Sequence, residues 1–179
     1  ERILSLQRPT KERLPFYEKI WGVHDFSDIV DIGCGLNPLS VFLVNKQYKR
    51  YLALDISPQI LHFLKKAFEI LGKNLEIAQY NFFDLPNFEG EVALLWKVIP
   101  IMYRYKGHGY VLTYLNKLSK NFNYISISYP RKSLGRGKPI GRAWKGYTKK
   151  IAEKLNLKIV KELEIPSEYF VILSSENTL

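Results

Sequence analysis

The stretch Asp31-Ile32-Gly33-Cys34-Gly35-Leu36-Asn37-Pro38-Leu39 decides how this 179-residue chain folds. The apolar run Asp28 to Ile32 reads as a buried strand, and it feeds directly into a turn carrying Gly33 and Gly35. Glycines there remove the side chains that would fill the space above the strand's carboxyl end, where open α/β sheets hold their ligands. A second apolar run, Tyr51-Leu52-Ala53-Leu54, ends on Asp55, about twenty residues after the turn, where a carboxylate can accept both hydroxyls of a ribose. The spacing suits a dinucleotide or S-adenosylmethionine (SAM). The turn lacks the third glycine that dinucleotide sites use to seat helix on strand, so the reading favours SAM.

Outward from this turn, strands and helices alternate. A helix is expected over about 10–21, with Leu14, Tyr17, Ile20 and Trp21 on one face and Gly22 ending it. Asn37-Pro38-Leu39 opens a second helix that continues through Val44, with the proline tolerated in the first turn. Ser57-Pro58 starts another, which carries Ile60, Leu61, Leu64, Ala67, Phe68 and Leu71 and is closed by Gly72. Leu75 to Gln79, Val92 to Trp96 and Tyr124 to Ser128 read as strands, and Tyr110 to Leu118 as a helix. The segments 157–163 and 169–173 flank Ile165-Pro166-Ser167, a link too short for a crossover, so these strands are antiparallel. A mostly parallel seven-stranded sheet closing in such a hairpin is the Rossmann-like order of class I methyltransferases. The chain reads as one domain spanning 1–179, an α/β unit with a short N-terminal helical segment.

Composition narrows the partners. The net charge is +10, with 27 Lys and Arg against 17 Asp and Glu, which favours a polyanion. From Arg131 to Lys150 run Arg131, Lys132, Arg136, Lys138, Arg142 and Lys145, then Lys149 and Lys150, with no acid. Glycines 135, 137, 141 and 146 make this stretch read as a loop able to bend around a phosphate backbone. No apolar run approaches the roughly 20 residues of a membrane span, and no signal peptide opens the sequence, so a cytoplasmic protein is expected. A single cysteine, Cys34, and three scattered histidines predict neither a disulfide nor a metal site. Residue 1 is Glu, so residues upstream are expected to be missing. Oligomeric state is not legible.

The stretches Thr10-Lys11-Glu12-Arg13-Leu14-Pro15, DIGCGLNPL, Leu94-Leu95-Trp96-Lys97-Val98-Ile99-Pro100 and, above all, Ser128-Tyr129-Pro130-Arg131-Lys132-Ser133-Leu134-Gly135 resemble the aminoglycoside-resistance 16S rRNA guanine-N7 methyltransferases. The resemblance runs in order from about Thr10 to Leu173. It implies a SAM-dependent enzyme whose partner is structured RNA, the decoding-site guanine of the small ribosomal subunit. It also implies that Arg13 lies beside the SAM carboxylate. Members of that family carry an N-terminal helical region, whereas nine residues precede the matching segment here. After SLG, the family's acidic and aromatic segment is replaced by Arg136-Gly137-Lys138-Pro139-Ile140-Gly141-Arg142.

The chemistry of the residues agrees with such a reaction. A nucleophile with an available lone pair needs only to be held in line with the activated methyl group, and guanine N7 has one. No general base is expected, and none stands out. The place after the fourth strand reads Trp96-Lys97-Val98-Ile99-Pro100 and not the Asn/Asp-Pro-Pro-aromatic of adenine-N6 enzymes. Cytosine-C5 transfer needs a cysteine nucleophile, and Cys34 lies in the cofactor turn. Elimination leaves ribose and small-molecule transfer open. Gly33 and Gly35 are expected to admit the methionine portion of SAM, Asp55 to hold the ribose, Asp84 to accept from the adenine amino group and Leu85 to pack on its ring. Asp31, Ile56 and Phe83 complete the expected pocket, and Tyr129 is expected to stack on the extruded base. Against rRNA guanine-N7 methylation stand a tRNA or small-molecule methyltransferase and a non-catalytic ribosome-assembly factor with a methyltransferase fold.

Overall fold

The computed structural model describes residues 12–132 and 141–175. Seven strands form one sheet in the order β3-β2-β1-β4-β5-β7-β6. They are β1 (Asp28–Ile32), β2 (Arg50–Asp55), β3 (Glu76–Gln79), β4 (Gly90–Trp96), β5 (Phe122–Pro130), β6 (Leu157–Glu164) and β7 (Glu168–Ser175). The first five pair in parallel, while β7 runs antiparallel to both β5 and β6. Ile165 and Glu168 exchange backbone hydrogen bonds of 2.9 and 3.3 Å across Pro166-Ser167, the tight turn that the short link requires.

Helices cover both faces, which is why the central strands are apolar on both sides. Val30, Ile32, Leu52, Leu54, Ala93 and Leu95 face the layer formed by α4 (Val98–Asn121) and α5 (Gly141–Leu155). Ile29, Ala53, Val92 and Leu94 face α1 (Tyr17–Val23), α2 (Ser40–Leu43) and α3 (Pro58–Ile70). In α3 the Ser57 side chain caps the Ile60 N–H, Pro58 occupies the first turn, and Leu61, Leu64 and Phe68 turn inward. The edge strand β6 carries lysines and a register shift between Ile159 and Lys161, both of which discourage edge-to-edge pairing.

Three segments differ from the sequence reading. The N-terminal helix does not stop at Gly22. A 3-10 turn at Leu14–Phe16, started by Pro15, leads into α1, which continues to Val23, and Leu14 is half exposed. Thr10 lies outside the described residues. The helix expected over 110–118 is the second half of α4, which begins at Val98 and is kinked at Gly107 (φ 79°, ψ 177°), a conformation essentially restricted to glycine. The C-terminal part of the expected basic loop is α5. Thr148, Ile151 and Ala152 are buried on one side of it, with Trp144 and Tyr147 partly buried beside them; this 3.6-residue stripe overrides the glycines at 141 and 146.

Candidate cofactor and acceptor site at the carboxyl edge of the sheet

β1 is flanked by β2 on one side and β4 on the other, so the chain reverses its direction of sheet growth at the carboxyl end of β1. Crevices at such switch points are where open α/β sheets bind ligands. Gly33 (φ 70°) and Gly35 (φ 53°) take the left-handed conformation there. The turn is fastened to β2: the Gly33 and Cys34 N–H groups both donate to the Leu54 carbonyl, at 2.8 and 3.0 Å.

Gly33 serves packing as well as conformation. A Cβ on it would lie 2.9 Å from Val98 Cγ2, so the glycine lets the start of α4 close over the turn. Val98 stands where a side chain on residue 33 would point.

Asp55 ends β2 at the same edge. Its Oδ2 accepts from the Gly35 N–H at 2.9 Å and its Oδ1 from the Ser57 N–H at 2.9 Å. Each carboxylate oxygen keeps a lone pair, and the residue is 9% exposed at the crevice. Beside it Ile56 is 55% exposed, and on the β3–β4 loop Leu85 is 51% exposed next to an exposed Asp84. That loop is held by the Asn81 side chain accepting from the Phe83 N–H at 3.0 Å, and by Tyr80 and Tyr110 hydroxyls donating to the Asp84 and Phe83 carbonyls. An anionic acceptor, two exposed apolar side chains and a second exposed carboxylate form an acceptor and packing set that fits an adenine ribonucleoside.

Asp31 plays a different part. Its buried Oδ2 accepts from Asn37 Nδ2 at 2.8 Å and from the Tyr51 hydroxyl at 2.7 Å, which ties the strand to the helical turn after it. Burial pushes its carboxyl up to about 6 against those two hydrogen bonds.

Arg13 reaches the same edge already partnered. Its Nε and Nη2 donate to the two oxygens of Glu168 at 2.8 Å each, and its guanidinium lies 5.1 Å from the Trp96 ring centroid. Glu168 is fully buried and also accepts from the Ser128 hydroxyl at 2.7 Å and from Lys97 Nζ at 3.1 Å. Burial would raise the Glu168 carboxyl, but Arg13 and Lys97 outweigh it and hold it below the usual carboxylate range. Lys97 itself takes a left-handed conformation (φ 66°) at the exit of β4, where its N–H donates to the Ser128 carbonyl at 3.1 Å. This knot joins the N-terminal segment, β4, β5 and β7 beneath the reacting edge. Sequence reasoning found Arg13 but not Glu168, whose contact spans 155 positions and leaves no local signal.

Tyr129 corrects a further expectation. It is 0% exposed, and its ring stacks on Trp144 of α5 with centroids 4.9 Å apart, so it is a core residue with no face open to a base. Of the expected RNA cations, Arg131 bonds the Ile165 carbonyl and pairs with Glu164 at 3.0 Å, and Lys145 pairs with the same Glu164. Lys132 is exposed. Arg136 and Lys138 lie outside the described residues, as does the Arg142 side chain, although the Arg142 backbone belongs to α5. Among the described residues, no cluster of His, Cys, Asp and Glu could hold a metal ion, and no helix is long and apolar enough to cross a membrane.

Comparison with known proteins gives this edge a context. Residues 1–168 match the model of a family described as ribosomal RNA methyltransferase (FmrO). A "16S rRNA (guanine(1405)-N(7))-methyltransferase" of Frankia casuarinae is 31% identical over 144 residues, covering 75% of this chain and 49% of that protein. One of the same description from Serratia marcescens is 30% identical over 148 residues, covering 77% and 55%. The chain thus spans about half the length of the curated relatives it matches. In fold it is similar to the 16S rRNA methylase ArmA (TM-score 0.74, 23% identity, 93% of this chain and 85% of that one). It is also similar to the methyltransferase RmtF solved with S-adenosyl-L-homocysteine (TM-score 0.72, 19% identity, 93% and 65%). With the sheet order, the glycine turn and the family match in agreement, the chain belongs to the FmrO family of ribosomal RNA methyltransferases.

Proposed function

We propose that this chain transfers the methyl group of SAM to N7 of a guanine in small-subunit ribosomal RNA. The observation that carries the proposal is the glycine turn with Asp55 at the switch point of a sheet belonging to a ribosomal RNA methyltransferase family. Its relatives' description names 16S rRNA and guanine N7.

Bound in the crevice, SAM supplies a methyl group on a positively charged sulfur. Asp55 would hold the ribose hydroxyls with the lone pairs left by Gly35 and Ser57, and Asp84 would accept from the adenine amino group, with Ile56 and Leu85 offering apolar surface to the ring. Phe83 lines the loop behind them. Asp31 acts indirectly, by holding the turn in shape. Arg13 is buried and paired with Glu168, and the more exposed Lys97 leaves the group a net positive charge near the edge where the methionine carboxylate belongs. Guanine N7 bears a lone pair and no proton. The bond from N7 to the methyl carbon forms as the carbon–sulfur bond breaks, and the electron pair goes to sulfur. No proton moves, so the site needs positioning and not a general base. The folded ribosomal subunit, met in the cytoplasm, presents the acceptor.

The test uses purified small subunits that lack the modification, labelled SAM, and borohydride followed by aniline, which cleaves RNA at N7-methylguanosine. A single new cleavage site in 16S rRNA is expected, with Asp55→Ala binding SAM roughly ten- to a hundredfold more weakly after loss of hydrogen bonds to a charged acceptor. Label without an aniline-sensitive site would move the acceptor to another atom. Equal labelling of tRNA would end the ribosomal assignment, and SAM binding with no transfer to any RNA would favour an assembly factor.

A further inference from the structure

Between Val92 and Ala152 the sequence contains thirteen Lys and Arg and no Asp or Glu, a tract that takes in all of α4, β5 and most of α5. Within it α4 is kinked at Gly107, and the first half buries Val98, Ile99 and Met102 on one side while the turn just before the kink is exposed. Tyr105 is 68% exposed and Tyr103 is 43% exposed, with Arg104, Lys106 and His108 exposed around them.

These rings are held in place. Tyr103 meets Tyr147 edge-on at 5.2 Å and Trp144 at 6.3 Å, and His108 Nδ1 lies 3.2 Å from the Tyr147 hydroxyl, so α5 braces one side. On the other side Tyr105 meets Phe83 edge-on at 6.1 Å, and the Lys106 ammonium sits 5.7 Å from the Phe83 centroid. Phe83 belongs to the loop that carries Asp84 and Leu85, so Tyr105 lies beside the loop that borders the cofactor crevice. An exposed ring beside exposed cations, with the Arg104 guanidinium 5.7 Å from the Tyr105 centroid, fits an unpaired nucleotide, whose base stacks on the ring while the flanking phosphates meet Arg and Lys. A surface built for duplex phosphates alone has no use for protruding rings.

We propose that the knuckle Tyr103-Arg104-Tyr105-Lys106 is a docking surface for unpaired nucleotides of the RNA substrate, with Tyr105 as the stacking platform. This takes over the role that the buried Tyr129 has no exposed face to perform. The proposal rests on the RNA-methyltransferase reading.

The test is binding of a short labelled single-stranded RNA, a duplex of the same sequence, and purified small subunits to the parent protein, Tyr105→Ala, Tyr105→Phe and the pair Arg104→Gln/Lys106→Gln. S-adenosylhomocysteine binding serves as the folding control. The parent is expected to prefer the single strand. Tyr105→Ala should lose roughly five- to a hundredfold of that affinity, the range for one stacked base, while Tyr105→Phe, which keeps the ring, stays at the parental value. The double substitution should reduce the salt slope by about 1.4, two single-strand phosphate contacts. Equal binding of single strand and duplex, or parental affinity and slope in the variants, would overturn the proposal. A parent that methylates small subunits while Tyr105→Ala behaves identically refutes this surface alone. A parent that discriminates single strand from duplex yet methylates no small-subunit RNA supports the surface and refutes the proposed reaction.

Discussion

Replacing Glu168 by glutamine removes one charge from a site where it is fully buried and faces Arg13 at 2.8 Å twice, Lys97 at 3.1 Å and the Ser128 hydroxyl at 2.7 Å. Unit charges about 4 Å apart attract by roughly 4 kcal/mol at an effective dielectric near 20, and desolvation offsets much of that when both partners are present. With Glu168→Gln the offset is lost on one side only: Arg13 stays buried and charged. The expected cost is about 3–5 kcal/mol, a fall in melting temperature of roughly 6–20 °C for a chain of this size. Urea unfolding and thermal scans of Glu168→Gln, Arg13→Met and the double variant Arg13→Met/Glu168→Gln measure it. The double variant should be markedly less destabilised than the sum of single losses, because neither charge is then stranded. Glu168 is held below its ordinary value, so its contribution is full above the unfolded carboxylate pKa and is lost as pH falls through the folded one. Glu168→Gln should therefore flatten that acid limb. A loss under about 1 kcal/mol, the value of an exposed pair, together with additivity in the double variant, would refute the picture of a buried charge knot.

Two buried groups oppose each other in acid. His24, bonded to the Ile20 carbonyl at 2.6 Å and to Ser126 Oγ at 2.7 Å, is lowered by burial to about 4, so its stability is lost as pH falls from 6.5 toward 4. Asp31 is raised to about 6, so its contribution is present in acid and lost as pH rises through 6. Their slopes should nearly cancel between pH 4 and 6, and Asp31→Asn should expose the His24 slope, roughly 3 kcal/mol, in urea midpoints across that range; an unchanged profile would count against both assignments. Gly33→Ala should cost at least about 2 kcal/mol through its left-handed φ and the contact with Val98, with Val98→Ala restoring only part; full rescue in unfolding assays would mean the backbone carries no strain. Tyr129→Phe should keep fold and turnover, since the ring and not the hydroxyl packs on Trp144, while Tyr129→Ala should lose about 3–5 kcal/mol; a turnover defect in a stable Tyr129→Phe would return that hydroxyl to the site.

The turn after β1, Asp55 and the closing hairpin were legible because each is written in short-range chemistry. Gly33 and Gly35 occupy backbone conformations that other residues avoid, and Asp55 acts on groups near it in space because parallel strands β1 and β2 deliver their ends side by side. Pro166-Ser167 permits no crossover, so antiparallel pairing follows from length alone. The Arg13–Glu168 pair had no such handle. Its partners come from opposite ends of the chain, and Glu168 follows a turn where an acid looks like ordinary surface chemistry.

The errors around Tyr129 are linked. Gly141, Gly146 and the dense lysines make 131–150 read as a loop, because composition outweighs the stripe of Trp144, Tyr147, Thr148, Ile151 and Ala152 that carries a helix over 141–155. If that segment were a loop, Tyr129 at the end of β5 would face open space above the sheet and be the natural partner for a base. Because it is a helix, Trp144 covers Tyr129, and the basic side chains of the segment project from a rigid cylinder. The aromatic surface for RNA is then displaced outward, to the rings that α5 supports and does not cover. Gly107 marks the break: at φ 79° and ψ 177° it separates the turn that carries Tyr103 and Tyr105, the latter beside Phe83, from the half of α4 that buries Val111, Tyr114, Leu115 and Leu118.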